Sequence, residues 1–247
     1  MSVLRSLFLL ILIAFPLHAS EVRVHAAASL SDVLKEVAAR YEKRSGDKLI
    51  FNFAASSTLS RQIREGAPGD VFFSADEAKM NDLQKEGLIV PATRRSILSN
   101  RLVIVVASDS RIRMSNARGL LSTEIRRFAI AEPSSVPAGI YARQYLERIG
   151  LWSRIQARAV PTENVRGALA AVESGNVEAG IVYVTDALIS RIVRVACEIK
   201  GPDAPRISYP AAVLRDASDR VAAGKFVLFL SSREAMTIFR RHGFFAR

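Results

Sequence analysis

Val22-Arg23-Val24-His25-Ala26-Ala27-Ala28-Ser29-Leu30-Ser31-Asp32-Val33-Leu34 sets the organisation of the chain. Its first seven residues read as a short strand. Ser29-Leu30-Ser31-Asp32 has the spacing of a capping box. Leu30, Val33, Leu34, Val37, Ala38 and Tyr41 then recur at helical spacing until Gly46 stops the helix. A strand that turns through small residues directly into a helix is the repeating unit of α/β sheets.

The unit recurs along the chain. Strands are expected at residues 49–53, 70–74, 102–106, 128–131, 158–160, 179–183 and 207–214. Helices are expected at residues 59–64, 77–87, 139–149, 165–173, 220–231 and 234–242. Four strand-to-helix turns stand out: Ser29, Ser56, Pro137-Ala138-Gly139 and Thr162-Glu163-Asn164-Val165. In an open α/β sheet such turns gather at the carboxyl ends of the strands, where ligands bind. A helix start has unpartnered N–H groups and about half a positive charge, so four together would present roughly +2 to an anion. Ser29, Ser56 and Thr162 also suit ordinary helix N-caps, as do Asp70, Asp76 and Asp186. Spacing alone does not bring the four turns together.

At 247 residues, with 49% hydrophobic and 24% charged side chains, the chain has enough for one large or two small packed domains. Leu7 to Phe15 is an unbroken apolar run preceded by Arg5 and followed by Pro16 and Ala19. It reads as a cleaved export signal over residues 1–20 and is too short to span a bilayer, which needs about 20 apolar residues. No cysteine follows it to carry a lipid. The lone Cys197 allows no internal disulfide, which suits a bacterial periplasm better than a disulfide-rich secreted scaffold. The formal net charge of +11 invites a nucleic-acid reading. Yet the basic residues are scattered, and aromatics, at 7%, do not interleave with them. Nucleotide-binding glycine loops, a nucleophile elbow and metal-ligand spacings are all missing from the sequence, and His25 and His242 pair with no nucleophile by spacing.

The segments Ala26-Ala27-Ala28-Ser29-Leu30, Ser56-Ser57-Thr58-Leu59, Gly66-Ala67-Pro68-Gly69-Asp70, Val136-Pro137-Ala138-Gly139-Ile140-Tyr141, Glu163-Asn164-Val165-Arg166-Gly167, Gly180-Ile181-Val182-Tyr183 and Tyr209-Pro210 follow one another across nearly all of the chain after residue 20. In order and spacing they resemble the periplasmic molybdate-binding proteins of ABC transporters, which are type II periplasmic binding proteins. The resemblance implies a two-lobed α/β fold, each lobe a mixed sheet flanked by helices. It implies a first lobe of residues 21–103 and 209–247, a second of residues 104–208, and hinges near residues 100–105 and 208–214. It implies a binding protein rather than an enzyme, with no cofactor, acting as a monomer that delivers molybdate or tungstate to a membrane permease. The metal would be held only as its oxyanion, by the Ser29 and Ser56 hydroxyls, the N–H groups of Ala138 and Val165, and the Tyr183 hydroxyl. Ala55 stands where the family often has a third serine, and Asn164 where an Asp is common.

Such a donor set would replace the water of a bare dianion without a buried counter-charge. It would offer no acceptor for the proton of hydrogen phosphate, and would have to reject sulfate by size. The residues leave open a binding protein for sulfate, thiosulfate or an organic acid, an oxyanion-handling enzyme on a similar fold, a nucleic-acid binder, and the sensing half of a transcription regulator.

Overall fold

A computed structural model describes residues 19–246. The expected export signal therefore lies, except for its last two residues, outside the described residues. The chain begins with β1 (Glu21–Ala27), α1 (Ser31–Ser45), β2 (Lys48–Ala54), α2 (Ser56–Arg64), β3 (Val71–Phe73), α3 (Glu77–Lys85) and β4 (Arg95–Ser99). It continues with β5 (Leu102–Ala107), β6 (Phe128–Ala131), α4 (Pro137–Arg148), α5 (Trp152–Ile155), β7 (Ala159–Thr162), α6 (Val165–Glu173), β8 (Ala179–Tyr183), α7 (Val184–Ile189) and β9 (Val193–Glu198). It closes with β10 (Tyr209–Val213), α8 (Arg220–Leu230), α9 (Arg233–Arg241) and β11 (Phe245–Ala246).

The strands form two mixed sheets, ordered β11-β4-β10-β3-β1-β2 and β7-β6-β8-β5-β9. In the first, β1 runs parallel to β2 and β3, while β10 runs antiparallel to β3 and β4. In the second, β6 runs parallel to β7 and β8, and β5 antiparallel to β8 and β9. Helix-flanked sheets are what the alternation of strand and helix implies, and their division into two lobes is what the resemblance implies. The helical spacing of α1 is realised as a buried face of Val33, Leu34, Val37, Ala38 and Tyr41, and Gly46 ends it at φ 80°, a left-handed position that glycine adopts freely. In the second sheet, Leu102 to Val106 of β5 are almost wholly buried, as expected for a strand paired on both sides and covered by helices.

The chain passes between the sheets twice. It leaves β4 at Ser99 and enters β5 at Leu102, so the first crossing is Asn100–Arg101; the return is residues 199–208. Leu102 and Val103, expected with the first lobe, pair with Tyr183 and Val182 in the second sheet. The expected hinges at residues 100–105 and 208–214 run into β5 and β10, whose ladder hydrogen bonds hold them as sheet. Five elements, β4, α5, α7, β9 and β11, had no clear sequence signal. β4 carries Arg95 and Ser96, exposed, and is a strand because β10 and β11 flank it. The six-residue α7 and the strand β9, which holds the buried Cys197, follow from packing on β8 and β5.

Candidate functional site

Ser29, Ser56, Ala138, Val165 and Tyr183 line a single small cavity of about 20 Å³ between the two sheets. Six lining residues come from elements of the first sheet and six from those of the second, and none of the twelve carries a formal charge. The five are each between 1% and 4% exposed. So small a space suits a compact polyatomic ion, not an organic substrate, for which clefts of roughly 300 Å³ or more are usual.

Each residue reaches the cavity by a different local route. Ser29 lies in a 3-10 turn, Ala28–Leu30, between β1 and α1. It does not cap α1, as its capping-box spacing suggests: Leu30 is the N-cap and offers no side-chain bond. The Ser29 Oγ instead lies 3.1 Å from the hydroxyl of Tyr209. Ser56 is the first residue of α2, not its cap, and its Oγ accepts a 2.9 Å hydrogen bond from the Ala75 N–H. Both serines were plausible caps; tertiary partners claim them instead.

Ala138 and Val165 present backbone. In α4, Pro137 at the first helical position has no N–H, and the Ile140 N–H already bonds to the Val136 carbonyl. The Ala138 N–H therefore precedes the helical ladder. Gly139 lets α4 start hard against β6: a Cβ there would sit 2.0 Å from the Ala131 carbonyl oxygen. In α6 the N-cap is Asn164, not Thr162. Asn164 Oδ1 accepts from the N–H groups of Arg166 (2.9 Å) and Gly167 (3.1 Å), while Thr162 donates to the Asn164 carbonyl. That cap satisfies the next two donors, and Val165, the first residue of α6, lines the cavity.

Tyr183 ends β8. Its hydroxyl is buried without a hydrogen-bond partner among the described residues. Burial pushes its ionisation well above the ordinary phenol range, so it remains a donor. An unpaired buried hydroxyl is costly unless something else accepts from it.

The charges stand one layer back. Arg166 Nε lies 2.7 Å from Asp186 Oδ1, and Arg166 Nη1 2.8 Å from Asp32 Oδ2. Asp186 is fully buried and accepts from the Tyr183 N–H at 3.1 Å. Burial pushes its carboxyl up to about 6 against the pull of Arg166. Arg166 thus ties α6, beside the second sheet, to α1, beside the first. Of the other aspartates, Asp76 does cap α3. Asp70 does not cap: it accepts from the Arg23 and Ser218 N–H groups, both at 2.7 Å. His25 is buried, with Nε2 3.2 Å from the Pro68 carbonyl and Nδ1 3.0 Å from Asn52 Nδ2, and does not line the cavity. Among the described residues no group of His, Cys, Asp and Glu has the arrangement to hold a bare metal ion.

The sequence singled out Ser29, Ser56, Ala138, Val165 and Tyr183 for the site, but gave no role there to Arg166, Asn100 or Tyr209, and gave Asp32 only a place in a capping box. Arg166 and Tyr209 sit inside recognised segments, yet their partners are distant in the chain and no local pattern marks the pairing.

Because Ser56 accepts from a buried backbone N–H, its hydroxyl is structural as well. Ser56→Ala is expected to lower unfolding free energy by about 1–3 kcal/mol, the cost of an orphaned buried donor, as measured by urea denaturation. An unchanged transition would show that the Ala75 N–H finds another acceptor.

The chain is 37% identical over 230 residues to the molybdate-binding protein ModA of Escherichia coli, covering 91% of this chain and 88% of that one. It is 32% identical over 232 residues to ModA of Haemophilus influenzae, covering 92% and 91%. Among solved structures, the periplasmic molybdate-binding protein of Azotobacter vinelandii superposes with a TM-score of 0.83 at 22% identity, over 91% of this chain and 98% of that one, a likeness of fold. Residues 22–245 match the model of the bacterial extracellular solute-binding proteins, and with these relatives the chain belongs to that family.

Proposed function

We infer that this protein is the periplasmic solute-binding component of a molybdate ABC transporter. It captures molybdate or tungstate as the dianion between its two lobes and presents it to the membrane permease. The observation that carries the reading is the small, uncharged cavity shared by both sheets, lined by Ser29, Ser56 and Tyr183 and by the first residues of α4 and α6. Similarity to molybdate-binding relatives over about nine-tenths of the chain supports the ligand.

Ser29 and Ser56 bind from one lobe, and Ala138, Val165 and Tyr183 from the other. Hydrogen bonds from both sides make the closed form the one the ligand favours. The lobes are divided by the crossings at Asn100–Arg101 and residues 199–208, and the closed monomer is the form the permease engages. Molybdenum enters only as its oxyanion. The +11 charge takes no part in the lining; arginines such as Arg64 and Arg143 lie in exposed ion pairs with Glu86 and Glu147, which contribute little individually. The protein leaves the cytoplasm on the signal at residues 1–20.

Thermal unfolding with molybdate, tungstate, sulfate and phosphate tests this. At a hundredfold excess over Kd, a ligand adds about 2.7 kcal/mol, which for a chain of this size raises Tm by roughly 5–10 °C. Molybdate and tungstate are expected to do so, and sulfate and phosphate not. A shift with sulfate alone would reassign the ligand; no shift with any of them would overturn the reading.

A further inference from the structure

The cavity hydroxyls are wired in one direction, and the wiring begins at the first crossing between the lobes. Asn100 is buried there, and its Oδ1 accepts a 2.8 Å hydrogen bond from the Arg101 N–H. That bond fixes the orientation of the amide, because the flipped side chain would set two donors against each other. Asn100 Nδ2 therefore donates, at 2.9 Å to Thr185 Oγ1 and at 3.2 Å to Tyr209 Oη. Tyr209 is wholly buried, and burial holds its phenol protonated. With its oxygen accepting from Asn100, its proton has one acceptor within reach among the described residues, Ser29 Oγ at 3.1 Å. Ser29 must then accept, and its own proton is left for the cavity. Were Ser29 to turn a lone pair to the ligand, its proton would be without an acceptor in a buried site. Ser56 is set the same way by the Ala75 N–H.

We propose that Asn100 and Tyr209 are positioning residues that fix Ser29 as a hydrogen-bond donor and so set the preference for proton-free oxyanions over hydrogen phosphate. The proposal rests on the oxyanion-binding reading of the cavity. Neither side chain lines the cavity; they act through Ser29. Tyr209 begins the strand that follows the return crossing, so the relay joins both crossings to one binding hydroxyl. Its rings also meet: Tyr209 packs edge-on to Tyr183 at 5.9 Å between centroids.

Asn100→Asp tests the direction of the wire with almost no change of shape. An ionised carboxylate accepts from the Tyr209 hydroxyl, Tyr209 then accepts from Ser29, and Ser29 turns a lone pair to the ligand. The added charge weakens every dianion, so the readout is a ratio. Calorimetry on the full protein at about pH 8 would compare hydrogen phosphate with sulfate and molybdate, all of them dianions, by competition where binding is weak. Asn100→Asp is expected to narrow the preference for sulfate and molybdate over phosphate by at least about tenfold, the scale of one mispaired buried hydroxyl. Tyr209→Phe, which cuts the wire without adding charge, is expected to weaken molybdate binding and narrow the same preference. Thr185→Val, which leaves the relay to Ser29 intact, is expected to preserve the ratio. If Tyr209→Phe and every folded Asn100→Asp sample weaken all anions by one common factor, the residues only pack and the proposal fails. Wild-type protein that binds no oxyanion would overturn the functional reading itself, and the proposal with it.

Discussion

Arg166→Met is expected to destabilise the protein by about 3–5 kcal/mol near pH 8, the cost of stripping the partner from a buried charge. Arg166 Nε is 2.7 Å from the carboxylate of Asp186, which is fully buried between Tyr183 and α6. Its second contact, to the half-exposed Asp32, adds little. The loss should depend on pH, and the sign follows from Asp186. Its carboxyl is raised by burial to about 6, above its unfolded value near 3.8. Its contribution is therefore fully present below pH about 4 and is lost as pH rises through about 6. Without Arg166 the carboxyl rises further and protonates earlier. The deficit of Arg166→Met against wild type should thus be largest near pH 8 and shrink towards pH 5. Urea denaturation at both pH values measures it; a deficit that grows on acidification would mean that Asp186 is not the group left unpaired.

Gly139→Ala is expected to cost about 3 kcal/mol or more, at the upper end of what overpacking does, and to weaken oxyanion binding together with it. The new Cβ would lie 2.0 Å from the Ala131 carbonyl oxygen and 2.7 Å from that of Glu132. Both are backbone atoms at the end of β6, so no flexible side chain can move aside. The start of α4 has to lift, taking the Ala138 N–H with it. Gly224→Ala in α8 is the control, since a Cβ there meets open space; it should be neutral or stabilise by up to about 1 kcal/mol through helix propensity. Thermal unfolding and molybdate calorimetry on the pair separate the two cases. Equal behaviour of the two variants would show that α4 is free to shift.

Much of the fold was legible because strand-to-helix units are local. Val33, Leu34, Val37 and Tyr41 declare a helix face at fixed spacing, and Gly46 ends it, whatever the rest of the chain does. β4 was not legible, because its strand character comes from β10 and β11, more than a hundred residues away. The caps divide in the same way. Asp76 and Ser232 bond the third N–H of their own helices, a short-range habit of their side chains. Ser29 and Ser56 have the same propensity, but Tyr209 and the Ala75 N–H compete for them and win.

The sequence by itself determined an α/β chain whose strands end in small-residue turns, and through its motifs five of the twelve residues that line the cavity. Helix-start N–H groups and turn serines follow from local chain chemistry, so they can be read in order. Tertiary structure alone decided that the four turns meet in one uncharged space, that Arg166 joins the two lobes through Asp32 and Asp186, and which way each hydroxyl points. Ser29 and Tyr209 are 180 residues apart and Asn100 and Tyr209 are 109 apart. Hydrogen-bond direction is set by whichever groups packing brings within about 3 Å, and no periodicity along the chain encodes that.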